Sequence, residues 1–247
     1  MSALVYGRSG TGKTAFAATF PKPLLLVDIR ERGTDTIANV LDVDVVQVNT
    51  WDELEELYWQ LKNGYLPKYR TVVLDQITQL QDLGKSKIRD DGAKDDDEPM
   101  SKRDWGNLSG LMQTWLMNFR DLTDQGLNIV FVAHERTLDI ESMEDQIDPS
   151  IGPRLMPSVG AALCGAVSAI GNTFIREEFI GPEKTRRVEY CLRIGPHAYY
   201  TTKVRHPVEA ETPEYLVNPS YEKLDRAIRG EDVSKPVKRK ISHEKQA

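Results

Sequence analysis

Cysteine is scarce in these 247 residues: Cys164 and Cys191 are the two present, and they stand in no paired metal-ligand spacing. Nothing therefore supports a disulfide framework. Long apolar runs are missing too. The longest weakly polar stretch, Val159 to Gly171, contains three glycines and falls short of the ~18–20 residues that a membrane span needs. No basic, apolar, small-residue leader series opens the chain. An excess of positive charge is also lacking, since 32 basic residues against 38 acidic ones leave a net charge of −6. Any contact with nucleic acid must then come from a local basic patch. These absences predict a soluble intracellular protein with no membrane partner. What is there is ordinary globular composition, 40% hydrophobic and 28% charged. The length suits one large domain, or a domain with a small appendage, and buries a core without staples.

Charge is unevenly placed. Asp90 to Glu98 holds six acidic residues against Lys94, and Ser234 to Ala247 holds five basic residues against Glu244. Both are poor in large apolar side chains and read as a mobile loop and a disordered tail, or as merely solubilising charge.

Elements follow in an alternating order. Ala3 to Tyr6 reads as a buried strand and Lys13 to Phe20 as a helix stopped by Pro21 and Pro23. Leu24 to Val27 and Asp44 to Val48 are further strands. Leu54, Leu57, Tyr58 and Leu61 mark one face of a helix over Trp51 to Lys62. Thr71 to Leu74 is a β-branched strand ending at Asp75, with a helix following to about Asp90. Trp105, Leu108, Leu111, Met112, Trp115, Leu116, Phe119 and Leu122 form the cleanest helical stripe, ended by Gly126, and Leu127 to Ala133 is a strand reaching His134. Such alternation predicts an α/β fold with a mainly parallel sheet covered on both faces. After Gly165 the segments Ala166–Ile170, Thr173–Ile180, Arg187–Ile194 and Tyr199–Val204 read as antiparallel hairpins, and Tyr221 to Arg229 as a last short helix. The expected division is a core over 1–210, a helical extension over 211–232 and a basic disordered tail over 233–247.

One motif fixes the chemistry. Gly7-Arg8-Ser9-Gly10-Thr11-Gly12-Lys13-Thr14 matches G-x-x-x-x-G-K-[ST] between a buried strand and a helix. Glycines let backbone N–H groups converge on phosphate oxygens, and the helix N-terminus adds its positive end. Lys13 reaches the β- and γ-phosphates, and the Thr14 hydroxyl ligates Mg²⁺. A second acid for the metal shell belongs at the end of a neighbouring apolar strand, which selects Asp75. A helix N-cap there is a compatible alternative. Hydrolysis also needs a group that orients or deprotonates water. Glu31 is the first candidate and Asp28 the second, just past a strand's carboxyl end. Glu31 in a surface ion pair with Arg30 or Arg32 is the alternative. His134 ends its strand at the same edge and is a candidate sensor of the γ-phosphate, or a structural histidine. His134-Glu135-Arg136-Thr137-Leu138 is not H-E-x-x-H, so a zinc protease is excluded.

The glycine-rich loop, Pro21-Lys22-Pro23, Asp28-x-x-Glu31-x-Gly33, Val73-Leu74-Asp75 and Ala133-His134-Glu135 occur together in this order. That set resembles the phage-encoded nucleotide-binding proteins of the RecA-like ATPase class, including the small single-strand annealing recombinases, over about residues 1–210. The resemblance implies a RecA-like P-loop NTPase core, ATP with Mg²⁺, and DNA-stimulated ATP hydrolysis in phage homologous recombination or strand annealing. It further implies single-stranded DNA as partner, a homo-oligomeric ring or filament, and the cytoplasm of an infected bacterium. Lys203 and Arg205 look similar to the paired cations that a neighbouring subunit supplies to the γ-phosphate. The family's DNA-contacting loops correspond to about Lys85–Arg103 and Glu135–Arg154, where Arg89, Lys102, Arg103, Arg136 and Arg154 are candidate phosphate contacts. Trp105 nearby stacks a base or, by its place in the stripe, packs in the core. The basic tail supplies nonspecific DNA affinity or recognises the acidic tail of a partner such as a single-strand binding protein. A different class stays open: a nucleotide-dependent switch or replication accessory protein acting on a protein partner without touching DNA. A small-molecule kinase is disfavoured, because no lid-like arginine cluster follows the first helix.

Overall fold

The computed structural model describes residues 1–31, 33–66, 68–92, 98–137, 151–180, 185–207 and 209–233. Five apolar segments become parallel strands: β1 (Ser2–Gly7), β2 (Leu24–Ile29), β3 (Val43–Val48), β4 (Thr71–Asp75) and β5 (Asn128–Thr137). β1, β2 and β4 are buried at every position. Both faces of the sheet are covered, which is why these segments read as continuous apolar runs and not as alternating ones. Leu4, Tyr6, Val27, Val72, Leu74 and Phe131 face one layer of helices. That layer is α2 (Trp51–Lys62), α3 (Leu80–Asp91), α4 (Lys102–Asp121) and α5 (Pro157–Ala166). Ala3, Val5, Leu26, Val73, Val130 and Val132 face the other way, onto α1 (Lys13–Ala17) and α6 (Tyr221–Ile228). Capping boxes open α2 (Thr50 with Glu53) and α4 (Ser101 with Asp104), satisfying backbone donors at each start.

Four further strands adjoin the sheet: β7 (Ala169–Ile180), β8 (Thr185–Arg193), β9 (Lys203–Val204) and β10 (Tyr215–Val217), while β6 (Ile151–Pro153) pairs with the end of β5. Among the described residues the order is β10-β8-β7-β1-β5-β4-β2-β3, with β9 on β7. The α/β class, the mostly parallel sheet flanked by helices, and the late antiparallel strands are as the sequence predicts. No helix among the described residues is long and apolar enough to cross a membrane.

Four details differ from expectation. Ala166–Ile170 and Thr173–Ile180 are not two hairpin strands. β7 is continuous, running parallel to β1 from Ala169 to Thr173 and antiparallel to β8 beyond. Gly171-Asn172 looks like a turn, but Leu192 covers the glycine and Asn172 bonds to Glu135. The run from Val159 is α5, started by Pro157 in its first turn, and it was unreadable because just Val159 and Leu163 of its residues are buried. Tyr199–Val204 contributes no more strand than Lys203 and Val204. Finally, 211–232 is not purely helical. Its β10 pairs with β8, and α6 docks on the segment just after α1, with the Tyr221 ring 5.0 Å from that of Phe20 and the Tyr221 N–H donating to Thr19 Oγ1. The acidic residues 95–97, the Gly181-Pro182 turn and the tail 234–247 lie outside the described residues.

Candidate active site

Strand register delivers the polar residues to one edge. Gly7 ends β1 level with His134 of β5 and Thr173 of β7, and Asp28 of β2 lies level with Asp75 at the end of β4. The carboxyl ends of parallel strands are where such sheets take ligands. From Gly7 the chain enters a loop whose Gly10 and Gly12 hold φ of 78° and 85°, left-handed conformations that strain any L side chain. Gly7 itself lies against β7: a Cβ there would stand 2.2 Å from Thr173 Oγ1. Thr11 pins the loop from inside. Its hydroxyl donates to the Arg8 carbonyl at 2.8 Å and lies 2.6 Å from Thr173 Oγ1. Ser9 and Gly10 form the outer turn.

The Lys13 ammonium reaches across the loop mouth to the Arg8 carbonyl at 2.9 Å. Burial lowers its proton affinity, and Asp75, Glu31 and Glu135 oppose that. Thr14 Oγ1 donates to Asp75 Oδ2 at 2.6 Å. A hydroxyl and a carboxylate side by side are hard oxygen donors of the kind magnesium takes from protein when phosphates and water complete its shell, so the pair fits the ion. Asp75 is 7% exposed. Burial foremost, with Glu31 and Asp28 adding to it, pushes its pKa up to about 6 against the pull of Thr14 and Lys13. It caps no helix, because the next turn, Ile77–Gln79, opens at Gln76.

Glu31 is placed by a local turn. Its N–H donates to Asp28 Oδ1 at 3.0 Å, and Arg30 before it adopts φ 57°. The Arg30 side chain goes to the Asn49 carbonyl, and the Glu31 carboxylate lies 3.7 Å from His134 Nε2 instead. Arg32 is outside the described residues. Burial raises the Glu31 pKa, partly offset by Lys13. The imidazole of His134 also meets the Gln76 side-chain amide. Burial, then Lys13 and Arg154, lower its proton affinity, against the pull of a backbone hydrogen bond at Gly7. The Glu31 carboxyl and the His134 imidazole thus flank the mouth of the loop, two groups of the kind that orient water or accept its proton.

Lys13, Thr14, Asp75, Glu31 and His134 are brought together with Asp28 and loop residues 7–12; the candidate cations after residue 85 are elsewhere. Lys203 pairs with Ile170, level with the middle of β1, away from Gly7. Its ammonium and the Arg205 guanidinium both donate to carbonyls ending α5, at Cys164 and Gly165. Within one chain they do not approach the loop. Arg136 and Arg154 line a cavity of about 590 Å³ together with Lys85, Trp105 and His134. Arg103 borders a separate depression, Lys102 is exposed at the start of α4, and Arg89 reaches the Glu98 carbonyl. Trp105 is 38% exposed, off the buried stripe of Leu108, Met112, Leu116 and Phe119, with the Lys85 ammonium 5.6 Å from its ring centre. The core packing expected of it is therefore corrected.

Gln76, Thr173 and Tyr190 also border the site, though no motif in the sequence marks them. Thr173 and Tyr190 come to the loop from a hairpin more than 160 residues away, and no local spacing announces them.

No curated protein matches this sequence. Among solved structures it is similar to the flagellar accessory protein FlaH from Methanocaldococcus jannaschii, at 9% identity and a TM-score of 0.42, over 88% of this chain and 84% of that one. The family model AAA_24, described as an AAA domain, matches residues 1–206. A match of that extent, on a chain whose loop lysine, threonine and strand-end aspartate meet as they do here, places the protein in the AAA_24 family, as an AAA-type P-loop NTPase domain.

Proposed function

We propose that this chain hydrolyses ATP with Mg²⁺ and couples the hydrolysis to single-stranded DNA, as an oligomer, in phage recombination or strand annealing inside an infected bacterium. Lys13 grips the β- and γ-phosphates. Thr14 and Asp75 would hold the ion, which when bound offsets phosphate charge. Glu31 orients or deprotonates the attacking water, and His134 reports on the γ-phosphate.

The observation that carries the coupling is the position of His134. On one side it meets Glu31 and Gln76 at the nucleotide edge; on the other it borders the 590 Å³ cavity with Arg136, Arg154, Lys85 and Trp105. His134 and Arg136, two residues apart on β5, point to the same face. Pairing of β6 with β5 sets Arg154 alongside, its N–H donating to the His134 carbonyl at 2.7 Å. Cations beside an exposed indole suit a strand whose phosphates and bases both need partners. Phosphate bound at Arg154 would remove one of the charges that depress His134, so DNA and nucleotide would act on the same imidazole.

Single-stranded DNA is expected to raise ATP turnover, with affinity falling steeply as salt rises. The double variant Arg136→Ala, Arg154→Ala should lose most of that stimulation. No DNA binding at low salt would remove this reading. Lys203 and Arg205 are assigned to a neighbouring copy's nucleotide, and wild-type turnover by Arg205→Ala alone would discard that assignment. The second reading, a nucleotide-dependent switch on a protein partner, is favoured by Phe179 and Val188, exposed on one face of the β7–β8 hairpin. Its mark would be turnover indifferent to DNA.

A further inference from the structure

We infer that Tyr190 and Ile175 form the platform on which the base of the bound nucleotide stacks. The inference rests on the nucleotide-binding reading of the loop and goes beyond it by placing the base. In the β7–β8 register Thr173 lies opposite Leu192 and Ile175 opposite Tyr190, so Thr173, Ile175 and Tyr190 share one face of the hairpin. Thr173 locks that face to the loop through Thr11 and its close approach to Gly7. The next pair outward is Ile175 with Tyr190. The Tyr190 ring packs on Gly12, the residue before the phosphate-binding lysine: a Cβ built on Gly12 would stand 3.1 Å from Tyr190 Cδ1. Yet the ring remains 45% exposed, and Ile175 41%.

The hairpin's other face is of a different kind. There Arg176, Glu178, Arg187 and Glu189 pair with one another. On the face of Ile175 and Tyr190, Val188 and Phe179 continue the apolar surface outward, and Tyr190 is the member of it that reaches the loop. With the phosphates held by residues 7–14, a nucleotide's ribose and base must emerge beside Gly12 and the small, exposed Ala15. The flat surface bordering that exit is the Tyr190 ring, with Ile175 extending it. Heteroaromatic bases stack on tyrosine without needing a hydrogen bond from it. A platform of this sort favours the larger purines over pyrimidines.

Titrating the full chain with ATP and, in parallel, with inorganic tripolyphosphate separates base from phosphate. Tyr190→Ala should weaken ATP roughly tenfold and leave tripolyphosphate affinity as it was, whereas Tyr190→Phe should bind ATP like the unsubstituted chain, because the ring does the stacking. Tyr190→Trp gives a second readout: ATP should change its fluorescence beyond any change in the unsubstituted protein, and tripolyphosphate should not. Unaltered ATP affinity in Tyr190→Ala overturns the platform, as does an equal loss of both ligands, which would mark the ring as a prop for the loop. A shift in oligomeric state without a shift in ATP affinity also overturns it, since a second copy would then occupy the face. Failure of the unsubstituted chain to bind either ligand would overturn the loop reading itself, and the platform with it.

Discussion

Asp75 sits where its charge is least comfortable. The carboxylate is buried beneath Thr14, close to Glu31 and Asp28, and its pKa is pushed up to about 6, by burial above all. In the unfolded chain an aspartate gives up its proton near pH ~4. Between those values the native state binds more protons. The stability this group contributes is therefore complete below about pH 4 and lost as pH rises through about 6. The loss is on the order of 3 kcal/mol. Urea denaturation of the metal-free protein from pH 4 to pH 7 should show it, and Asp75→Asn, neutral throughout, should not. A difference between the two proteins that stays level with pH would contradict the burial account. A cation at this carboxylate would relieve the same strain, which is the physical sense of keeping a destabilised acid beside Thr14. Both residues were legible in the sequence, because a spaced motif and an apolar strand ending in an acid are local signals. Gln76 follows Asp75 directly, yet nothing in its type or spacing marks it, since its role depends on His134 arriving from β5.

At the scale of elements, the position of β7 decides whether the loop is shaped. Gly7 admits β7 so closely that an added methyl would meet Thr173 Oγ1 at 2.2 Å and the Thr173 carbonyl oxygen at 2.6 Å. Gly7→Ala should destabilise the fold by about 1–3 kcal/mol, the usual cost of overpacking, and weaken ATP binding by pushing β7 off the loop. Thr173→Ala added to it should restore part of the loss, because the backbone clash remains. Unchanged urea midpoints would contradict this packing. The parallel strands were readable since both their faces are apolar. β7 was split at Gly171-Asn172 because a Gly-Asn pair carries the same local signal in a turn as in the interior of a strand, and here partners from β5 and β8 decide. α5 gave no sign for a related reason: with two buried residues in a small, apolar stretch, it lacks the amphipathic period that α2 and α4 display. Trp105 shows the opposite error, a residue assigned to a stripe although it stands one position off the buried face of α4.

For the whole molecule, the sheet separates its charges along its length. The loop, Asp75, Glu31 and His134 gather at the carboxyl ends of the strands, and the arginine-lined cavity opens from there through His134. Lys203 and Arg205 hold the end of α5, away from that edge. A single chain therefore keeps Lys203 and Arg205 apart from its own loop, and under the proposed assembly a neighbouring copy would supply them. All of this depends on residues 7–14 wrapping a triphosphate. The most direct measurement is a crystal structure of the chain grown with a non-hydrolysable ATP analogue and magnesium. The account predicts phosphate density inside the loop, Lys13 turned from the Arg8 carbonyl onto the β- and γ-phosphates, and the metal between Thr14 and Asp75. A nucleotide bound elsewhere, or a metal remote from Asp75, would contradict it.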